Sequence, residues 1–155
     1  MAGNADLIRA LLPSPQIDLA HLVRDDEAFG ATVAAAGEIF DPELESAAHW
    51  LGGGRSYRGV DGFRRMWLDW LEPWATYHVQ VEGIIEEGDR VVVLIRDRGR
   101  HHDSDAEVEL LAGSVWTVRA GRIARVELYA NRDDLFEASG INAPGRPSRS
   151  RPPPG

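Results

Sequence analysis

The chain has 155 residues, of which 43% are hydrophobic and 27% are charged, and its formal net charge is −8. That length fits one domain with a sizeable core, and no apolar run approaches the roughly 20 residues that a membrane-spanning helix needs. The excess of acids disfavours nucleic acid and anionic membranes as partners. Cysteine and lysine are both absent, which excludes thiolate and Schiff-base chemistry. The N-terminus lacks the basic and apolar blocks of a signal peptide, so a cytoplasmic location is expected.

The first forty residues predict three short helices. Asn4 can cap a helix that stops before Pro13, and Asp18 can cap a second one. A third helix follows Asp25, because apolar residues recur at helical spacing between residues 29 and 40.

The middle of the chain holds an aromatic helix. Residues 43–50 predict a short strand, and the turn-rich segment LGGGRSYRG then leads to a helix that Pro73 ends. RRMWLDWLEPWATY, residues 64–77, contains three of the five tryptophans. A row of aromatic residues on one helix face commonly packs in the core. Tryptophan is a costly choice there compared with leucine, isoleucine or valine, because every buried indole N–H needs a hydrogen-bond partner. We therefore expect Trp67, together with Trp116 from the sheet, to form part of a pocket wall.

The second half predicts strands and a closing helix. The strands are TYHVQVEGII, VVVLIR, VELLAGSVWTV and RIARVELYA, and DDLFEASG is a helix with Gly140 at its C-terminal cap. Because side chains alternate between the two faces of a strand, five residues share one face of the third predicted strand: Leu110, Ala112, Ser114, Trp116 and Val118. An apolar sheet face under helices, with a mixed outer face, is an α+β arrangement. The mixed face can pair with a second copy, so a homodimer through the outer sheet face is expected.

The order of these segments resembles the nuclear transport factor 2-like superfamily, and within it the SnoaL-like and ketosteroid isomerase-like proteins. The segments that carry the resemblance are YRGVDGFRRMWLDWLEPW, GDRVVVLIRDRGR and VWTVRAGRIARVELYANRDDLFEASGI. The resemblance implies a cone, in which a strongly curved and mostly antiparallel sheet wraps around about three N-terminal helices and encloses one deep pocket. Residues 1–141 then form one domain, and residues 142–155 form a Pro/Arg-rich tail that is expected to be disordered.

The resemblance does not carry a known activity with it, because this fold hosts many functions. The carboxylic acid of the ketosteroid isomerases corresponds to Ser114, and their general base falls near Trp50, with His49 adjacent. The histidine and aspartate of the SnoaL-type cyclases correspond to Val126 and Leu128, which are aliphatic. Both acid–base sets are therefore missing at the matching positions.

Two candidate catalytic residues remain, His49 and Ser114. His49 is the best-placed proton carrier because a histidine titrates near neutral pH, although alternation lets only one of His49 and Trp50 point inward. Ser114 can make one hydrogen bond to a ligand, or it can be a small strand residue bonded to backbone. The expected ligand-binding residues are Tyr57, Trp67, Trp116, Val126 and Leu128. No metal and no cofactor is expected.

Charged residues cluster at the end of the strand VVVLIR. They are Arg96, Asp97, Arg98 and Arg100. We expect a solvated strand end with cross-strand pairs to Glu107 or Glu109, although an arginine at the pocket mouth can also bind a carboxylate. The neighbouring His101 and His102 indicate a solvated turn, because adjacent loop residues are poorly spaced for one metal ion.

Three functional hypotheses follow. The first is a cofactor-free isomerase, cyclase or hydrolase acting on a flat apolar polycyclic or aromatic metabolite, with His49 as base and Ser114 and Tyr57 polarising a carbonyl. The second is a non-catalytic binder of such a metabolite, which the missing carboxylates favour. The third is a dimerising partner domain with a vestigial pocket.

Overall fold

A computed structural model describes residues 3–50 and 53–141, and the tail at 142–155 lies outside the described residues. The helices are α1 (Asn4–Leu11), α2 (Leu19–Arg24), α3 (Asp26–Ala36), α4 (Gly59–Leu71) and α5 (Arg132–Ser139), with a short 3-10 turn at Gly37–Ile39. The strands are β1 (Phe40–Trp50), β2 (Gly53–Arg58), β3 (Trp74–Glu87), β4 (Arg90–His101), β5 (Glu107–Arg119) and β6 (Arg122–Tyr129). The predicted α+β class is confirmed.

The strands form one curved, unclosed sheet in the order β2-β1-β6-β5-β4-β3. All neighbouring strands are antiparallel except β1 and β6, which run parallel. Register shifts interrupt the β3–β4, β1–β6 and β5–β6 ladders. Such irregularities bend a strand and increase its twist, so they favour the curvature that gives the sheet a concave face.

Both faces of the sheet are covered near its centre. Residues of α1, α2 and α4 pack on the concave face together with the main core. Helix α5 packs on the opposite, outer face with Val92, Leu94 and Val115. The close approach of α5 requires Gly113, because a Cβ atom there would lie 2.5 Å from Leu135 Cδ1. The mixed outer face is therefore partly covered within the chain, and the homodimer stays a prediction.

Several local predictions are confirmed and others are corrected. Asp18 caps α2 by accepting a hydrogen bond from the Ala20 N–H at 3.1 Å, and Gly140 ends α5 with φ 74°. The glycine-rich segment predicted as turn contains strand β2, because pairing with β1 extends its backbone. Ile123 also lies in the concave-face core, where the register shift in β5–β6 pairs it with Val118. None of the helices in the described part of the chain combines the length and the hydrophobicity that spanning a membrane requires.

Candidate functional site

An apolar cavity of about 330 Å³ lies between the helices and the concave face of the sheet. Its sheet wall consists of Phe40, Val79, Ile95, Ser114, Trp116 and Leu128. Its helical wall comes from the end of α1, the α1–α2 connection, α2, α3 and the N-terminal two-thirds of α4. Besides the indole N–H groups of Trp67 and Trp116, the polar side-chain groups of the wall are three hydroxyls, on Ser14, Thr32 and Ser114.

Four of the predicted site residues converge on this cavity. Trp67 from α4 lines it, as do Ser114, Trp116 and Leu128 from the sheet. Val126 lies on the same sheet face but is fully buried in the core and is not part of the cavity wall. The alternation of side chains along β5 and β6 therefore predicts correctly which face of each strand points to the helices. Packing then decides which residues of that face line the cavity.

Ser114 is held in place by its neighbour two residues along the strand. Its side-chain oxygen accepts a hydrogen bond from the Trp116 indole N–H at 2.8 Å, and both residues are buried. This bond satisfies the indole donor, which would otherwise be costly to bury. A hydroxyl can accept and donate at once, so Ser114 keeps a proton that it can donate to a ligand oxygen.

His49 lies on the outer face of the sheet, so its predicted place in the pocket is wrong. Its ring stacks on Tyr129 with ring centroids 4.5 Å apart, and its Nε2 lies 3.4 Å from Glu127 Oε2. The physical reason is the two-residue repeat of β1, which points Leu44 and Ala48 into the concave core and His49 away from it. His49 cannot act on a molecule in the cavity.

Tyr57, predicted to bind the ligand, also lies outside the wall of this cavity. Its hydroxyl donates a hydrogen bond of 2.5 Å to Asp69 Oδ2, which links β2 to α4. Burial, followed by that bond and the Asp69 charge, raises the pKa of Tyr57 to about 12. The residue therefore fixes the edge strand against the helix.

A sequence model of the SnoaL-like domain matches residues 18–126, which is more than half of the chain. The chain belongs to the SnoaL-like family. No curated protein gives a significant match.

Solved structures resemble this SnoaL-like chain in fold. A protein of unknown function from Burkholderia pseudomallei K96243, described as NTF2-like, has a TM-score of 0.60 at 19% identity, over 88% of this chain and 97% of its own. TerC, co-crystallised with polyporic acid, has a TM-score of 0.58 at 21% identity, over 87% and 98%. A protein of ketosteroid isomerase-like fold from Catenulispora acidiphila DSM 44928, in complex with trimethylamine, has a TM-score of 0.55 at 16% identity, over 87% and 100%. These matches confirm the predicted fold, and the SnoaL-like sequence match over residues 18–126 confirms the predicted family.

The SnoaL-like cavity carries none of the usual acid–base groups in its wall. Among the residues that the structure describes, no carboxyl, imidazole, phenol or guanidinium group lines it. The same part of the chain contains no convergence of three or more metal-ligating side chains. The wall can therefore bind and orient an apolar molecule, but it does not itself supply a proton carrier.

A buried hydrogen-bonded chain that the sequence did not reveal lies next to the cavity. The Trp70 indole N–H donates to the Tyr77 hydroxyl at 3.0 Å, and that hydroxyl donates to Asp97 Oδ2. Asp97 is only 1% exposed, and its other oxygen, Oδ1, has no hydrogen-bond partner. Burial raises the pKa of Asp97 to about 7, against the opposing effects of the Tyr77 hydrogen bond and the Arg132 charge.

The position of Asp97 corrects the prediction of a solvated strand end. Arg96 and Arg98 do pair across the sheet as predicted, with Glu109 at 2.6 Å and Glu107 at 3.9 Å. Asp97 points the other way, into the concave face, because side chains alternate along β4. The signal was present in the sequence, since residues 91, 93 and 95 of the same face are all aliphatic.

Helix α3 forms a lightly packed part of the cavity wall in this SnoaL-like domain. It lines the cavity with Phe29, Thr32, Val33 and Ala36, yet none of its residues is fully buried. Arg64 of α4 binds it at two points. The guanidinium lies 2.7 Å from Asp26 Oδ1, and its carbon atom lies 5.1 Å from the centre of the Phe29 ring.

Proposed function

We propose that this SnoaL-like protein binds a flat, apolar small molecule of polycyclic or aromatic type in the cavity of its concave face. The observation that carries the proposal is the cavity itself, about 330 Å³ of space lined by aliphatic and aromatic side chains. Protein interiors are normally packed as densely as organic crystals, with few voids larger than a water molecule. The volume of the cavity lies at the lower end of the range for small-molecule sites, which begins at roughly 300 Å³.

The aromatic residues of the wall favour a flat ligand. Phe63 contacts Trp116 edge-on, with ring centroids 6.4 Å apart, and Phe40 lies 5.4 Å from Phe63. Trp67 adds a further indole from α4. Aromatic rings prefer offset or edge-on contact with other rings, so this wall suits a molecule with ring faces and edges of its own. TerC, which shares the fold, has been co-crystallised with polyporic acid, and this is consistent with binding of a small organic molecule.

Binding without turnover is the function that this wall supports best. Acid–base catalysis requires a titratable group within hydrogen-bond reach of the reacting atom. The wall offers only hydroxyl and indole N–H groups as polar contacts, and His49, the predicted base, lies on the opposite side of the sheet. The ligand would therefore be held by shape and apolar contact, with Ser114 as a polar contact.

A second candidate function is the cofactor-free isomerase, cyclase or hydrolase of the sequence-based hypothesis. One observation favours it, namely the Asp97 carboxyl beside the cavity with its pKa raised by burial to about 7. A carboxyl that titrates near neutral pH can exchange a proton with a carbon next to a carbonyl. In this candidate, Asp97 replaces His49 as the proton carrier.

Calorimetric titration with tetralin, an apolar bicyclic probe, tests the binding function. A matched pair of variants on α3 makes the test specific for the cavity: Val33→Trp adds bulk inside the wall, and Ala34→Trp adds the same bulk on the exposed side of the helix. We expect Val33→Trp to weaken tetralin binding at least tenfold and Ala34→Trp to leave it unchanged. Equal affinity in both variants, or no binding of tetralin by the unmodified protein, would contradict the proposal.

Proton exchange separates the two candidate functions. 1-Tetralone has the same bicyclic body with a carbonyl group, and its C2 protons exchange with deuterium when a base removes them. The binding function predicts the uncatalysed exchange rate in the presence of protein, followed by NMR in deuterated buffer. Faster exchange that is lost in Asp97→Asn would favour the enzyme and reject binding without turnover.

A further inference from the structure

The unpartnered oxygen of Asp97 calls for a physical explanation. Burying a carboxyl oxygen without a hydrogen bond costs free energy, and most buried polar atoms in native proteins do find a partner. Within the described residues, Ser46 Oγ and His49 Nε2 of β1 are the other buried side-chain atoms without a hydrogen bond, and His49 Nε2 still lies 3.4 Å from Glu127 Oε2. Asp97 differs from them because its neighbours on the same strand face line the cavity.

Two strand neighbours of Asp97 line the cavity. Ile95 precedes Asp97 by two residues on β4, and Val79 pairs directly with Asp97 from β3. Both neighbours line the cavity, and two residues along a strand span about 7 Å. Asp97 itself does not line the cavity, so a ligand reaches Oδ1 only if side chains of the wall move.

The Asp97 carboxyl is held in one orientation by the hydrogen bond at its Oδ2. Its Oδ2 receives the Tyr77 hydroxyl, which in turn receives the Trp70 indole N–H. The Tyr77 backbone N–H is fixed as well, because it donates to Asp18 Oδ1 at 3.0 Å. With Oδ2 engaged, Oδ1 is the remaining hydrogen-bonding position, and a group fixed by its own partners is well suited to selective recognition.

We propose that Asp97 is the specificity-determining polar residue of the cavity, and that its Oδ1 binds the carbonyl or hydroxyl group at one end of an otherwise apolar ligand. This inference rests on the proposed binding function and narrows its ligand class to apolar molecules with one polar end. A site built around a hydrogen bond discriminates strongly against the analogue that lacks the polar group, because the protein group is then left unpaired.

The protonation state of Asp97 decides which polar group it prefers. The groups that act on it are the Tyr77 hydroxyl from β3 and the Arg132 guanidinium at the start of α5, and burial outweighs both. Below about pH 7 the carboxyl is neutral and can donate a hydrogen bond from Oδ1 to a ligand carbonyl. Above that pH it is ionised and can only accept, which suits a ligand hydroxyl.

Three probes that share one bicyclic body test this inference by calorimetry: tetralin, 1-tetralone and 1-tetralol. At pH 6 we expect the unmodified protein to bind 1-tetralone about tenfold more tightly than tetralin. Raising the pH to 8 should abolish the preference for 1-tetralone, keep that for 1-tetralol, and leave tetralin affinity unchanged.

Variants at residue 97 assign the preference to this side chain. We expect Asp97→Leu to remove the preference for both polar probes while still binding tetralin, and Asp97→Asn to keep a preference that no longer depends on pH. Asp103→Asn, an exposed acid, serves as the control and should behave as the unmodified protein. A preference for 1-tetralone that survives unchanged in Asp97→Leu would overturn the inference and leave the binding function standing. Failure of the unmodified protein to bind any of the three probes would overturn both.

Discussion

Strand β5 and helix α3 both line the cavity, but the protein holds them in place in different ways. β5 is hydrogen-bonded to β4 on one side and β6 on the other, and residues 112–118 are all buried. No residue of α3 is fully buried, and Arg64 is a main contact between α3 and α4. Elements with few buried apolar contacts open at lower free energy than central strands do. The sheet wall therefore fixes the position of polar groups, and α3 is the wall that can adapt to the size of a ligand.

Truncation of the sheet wall should have the largest effect on stability. Trp116→Ala removes a buried indole and leaves Ser114 without the hydrogen bond that it accepts. Large-to-small changes at buried aromatic sites typically cost about 3–5 kcal/mol, and we expect a loss of that size in urea unfolding. Trp116→Phe, which keeps most of the ring volume, is the matched control and should lose much less. A loss below about 1 kcal/mol in Trp116→Ala would mean that the sheet wall is as loosely packed as α3.

The pH dependence of stability should reveal the buried carboxyl of the sheet wall. The folded-state pKa of Asp97 is raised from 3.8 to about 7, so protonation stabilises the folded state and this contribution is lost as the pH rises from about 4 to 7. Residue 97 does not titrate in the Asp97→Asn variant. The free energy of unfolding of this variant, relative to that of the unmodified protein, should therefore rise between about pH 4 and 7 and stay level above pH 7. The full difference is on the order of 4 kcal/mol, at 1.36 kcal/mol per pKa unit.

Urea unfolding of both proteins between pH 4 and 8 measures that difference, because contributions from other acids cancel. The exposed Asp103→Asn variant should show no such trend. A difference between Asp97→Asn and the unmodified protein that stays constant with pH would show that Asp97 has an ordinary pKa in the folded state.

Releasing α3 should have a smaller and local effect. Arg64→Ala removes the ion pair to Asp26, the contact with Phe29 and the hydrogen bond that Arg64 Nε donates to the Val23 carbonyl at 3.0 Å. We expect a loss of about 1–2 kcal/mol in global stability and faster amide hydrogen exchange in α3, with exchange in β5 unchanged. Arg65→Ala, at the exposed neighbouring position, is the control. Faster exchange in β5 as well would show that the two walls open together.

Truncation of the α3 wall should have the smallest effect. Phe29→Ala removes a partly buried ring, so we expect a loss of about 1 kcal/mol or less. Tetralin affinity should fall only a few-fold, because neighbouring α3 side chains can move into the space. An effect on stability as large as that of Trp116→Ala would contradict the distinction between a fixed and an adaptable wall.

The fold was largely predictable from the sequence, because its signals are periodic. The repeat from Leu110 to Val118 and the caps at Asp18 and Gly140 are local patterns that the structure confirms. The edge strand β2 was missed because its stability comes from pairing with β1, and its own segment is rich in glycine. The β5–β6 register shift, beside the Val118–Ile123 pair, depends on tertiary pairing and has no local signature.

The cavity was less predictable than the fold, and two residues show why. His49 and Trp50 are adjacent on a strand, so one of them must face outward, and the sequence alone does not decide which. Asp97 was interpreted as solvated because Arg96 and Arg98 flank it, although its position in the two-residue repeat matches that of the aliphatic residue 95. The residues next to Asp97 in the sequence favour exposure to solvent, whereas the residues on the same strand face indicate burial.

The parallel pairing of β1 with β6 has a consequence for how the chain reaches this fold. Glu45 meets Arg125 in that ladder, at a sequence separation of 80 residues, so the two strands join late in a chain that is synthesised from its N-terminus. Contacts between such distant segments slow folding, because a long loop must close before they form. Until β6 emerges from the ribosome, the edge of β1 that pairs with β6 in the folded sheet has no neighbour. The cavity then also lacks the part of its sheet wall that β6 supplies. Nascent chains stalled before residue 122 should therefore be the ones that chaperones engage.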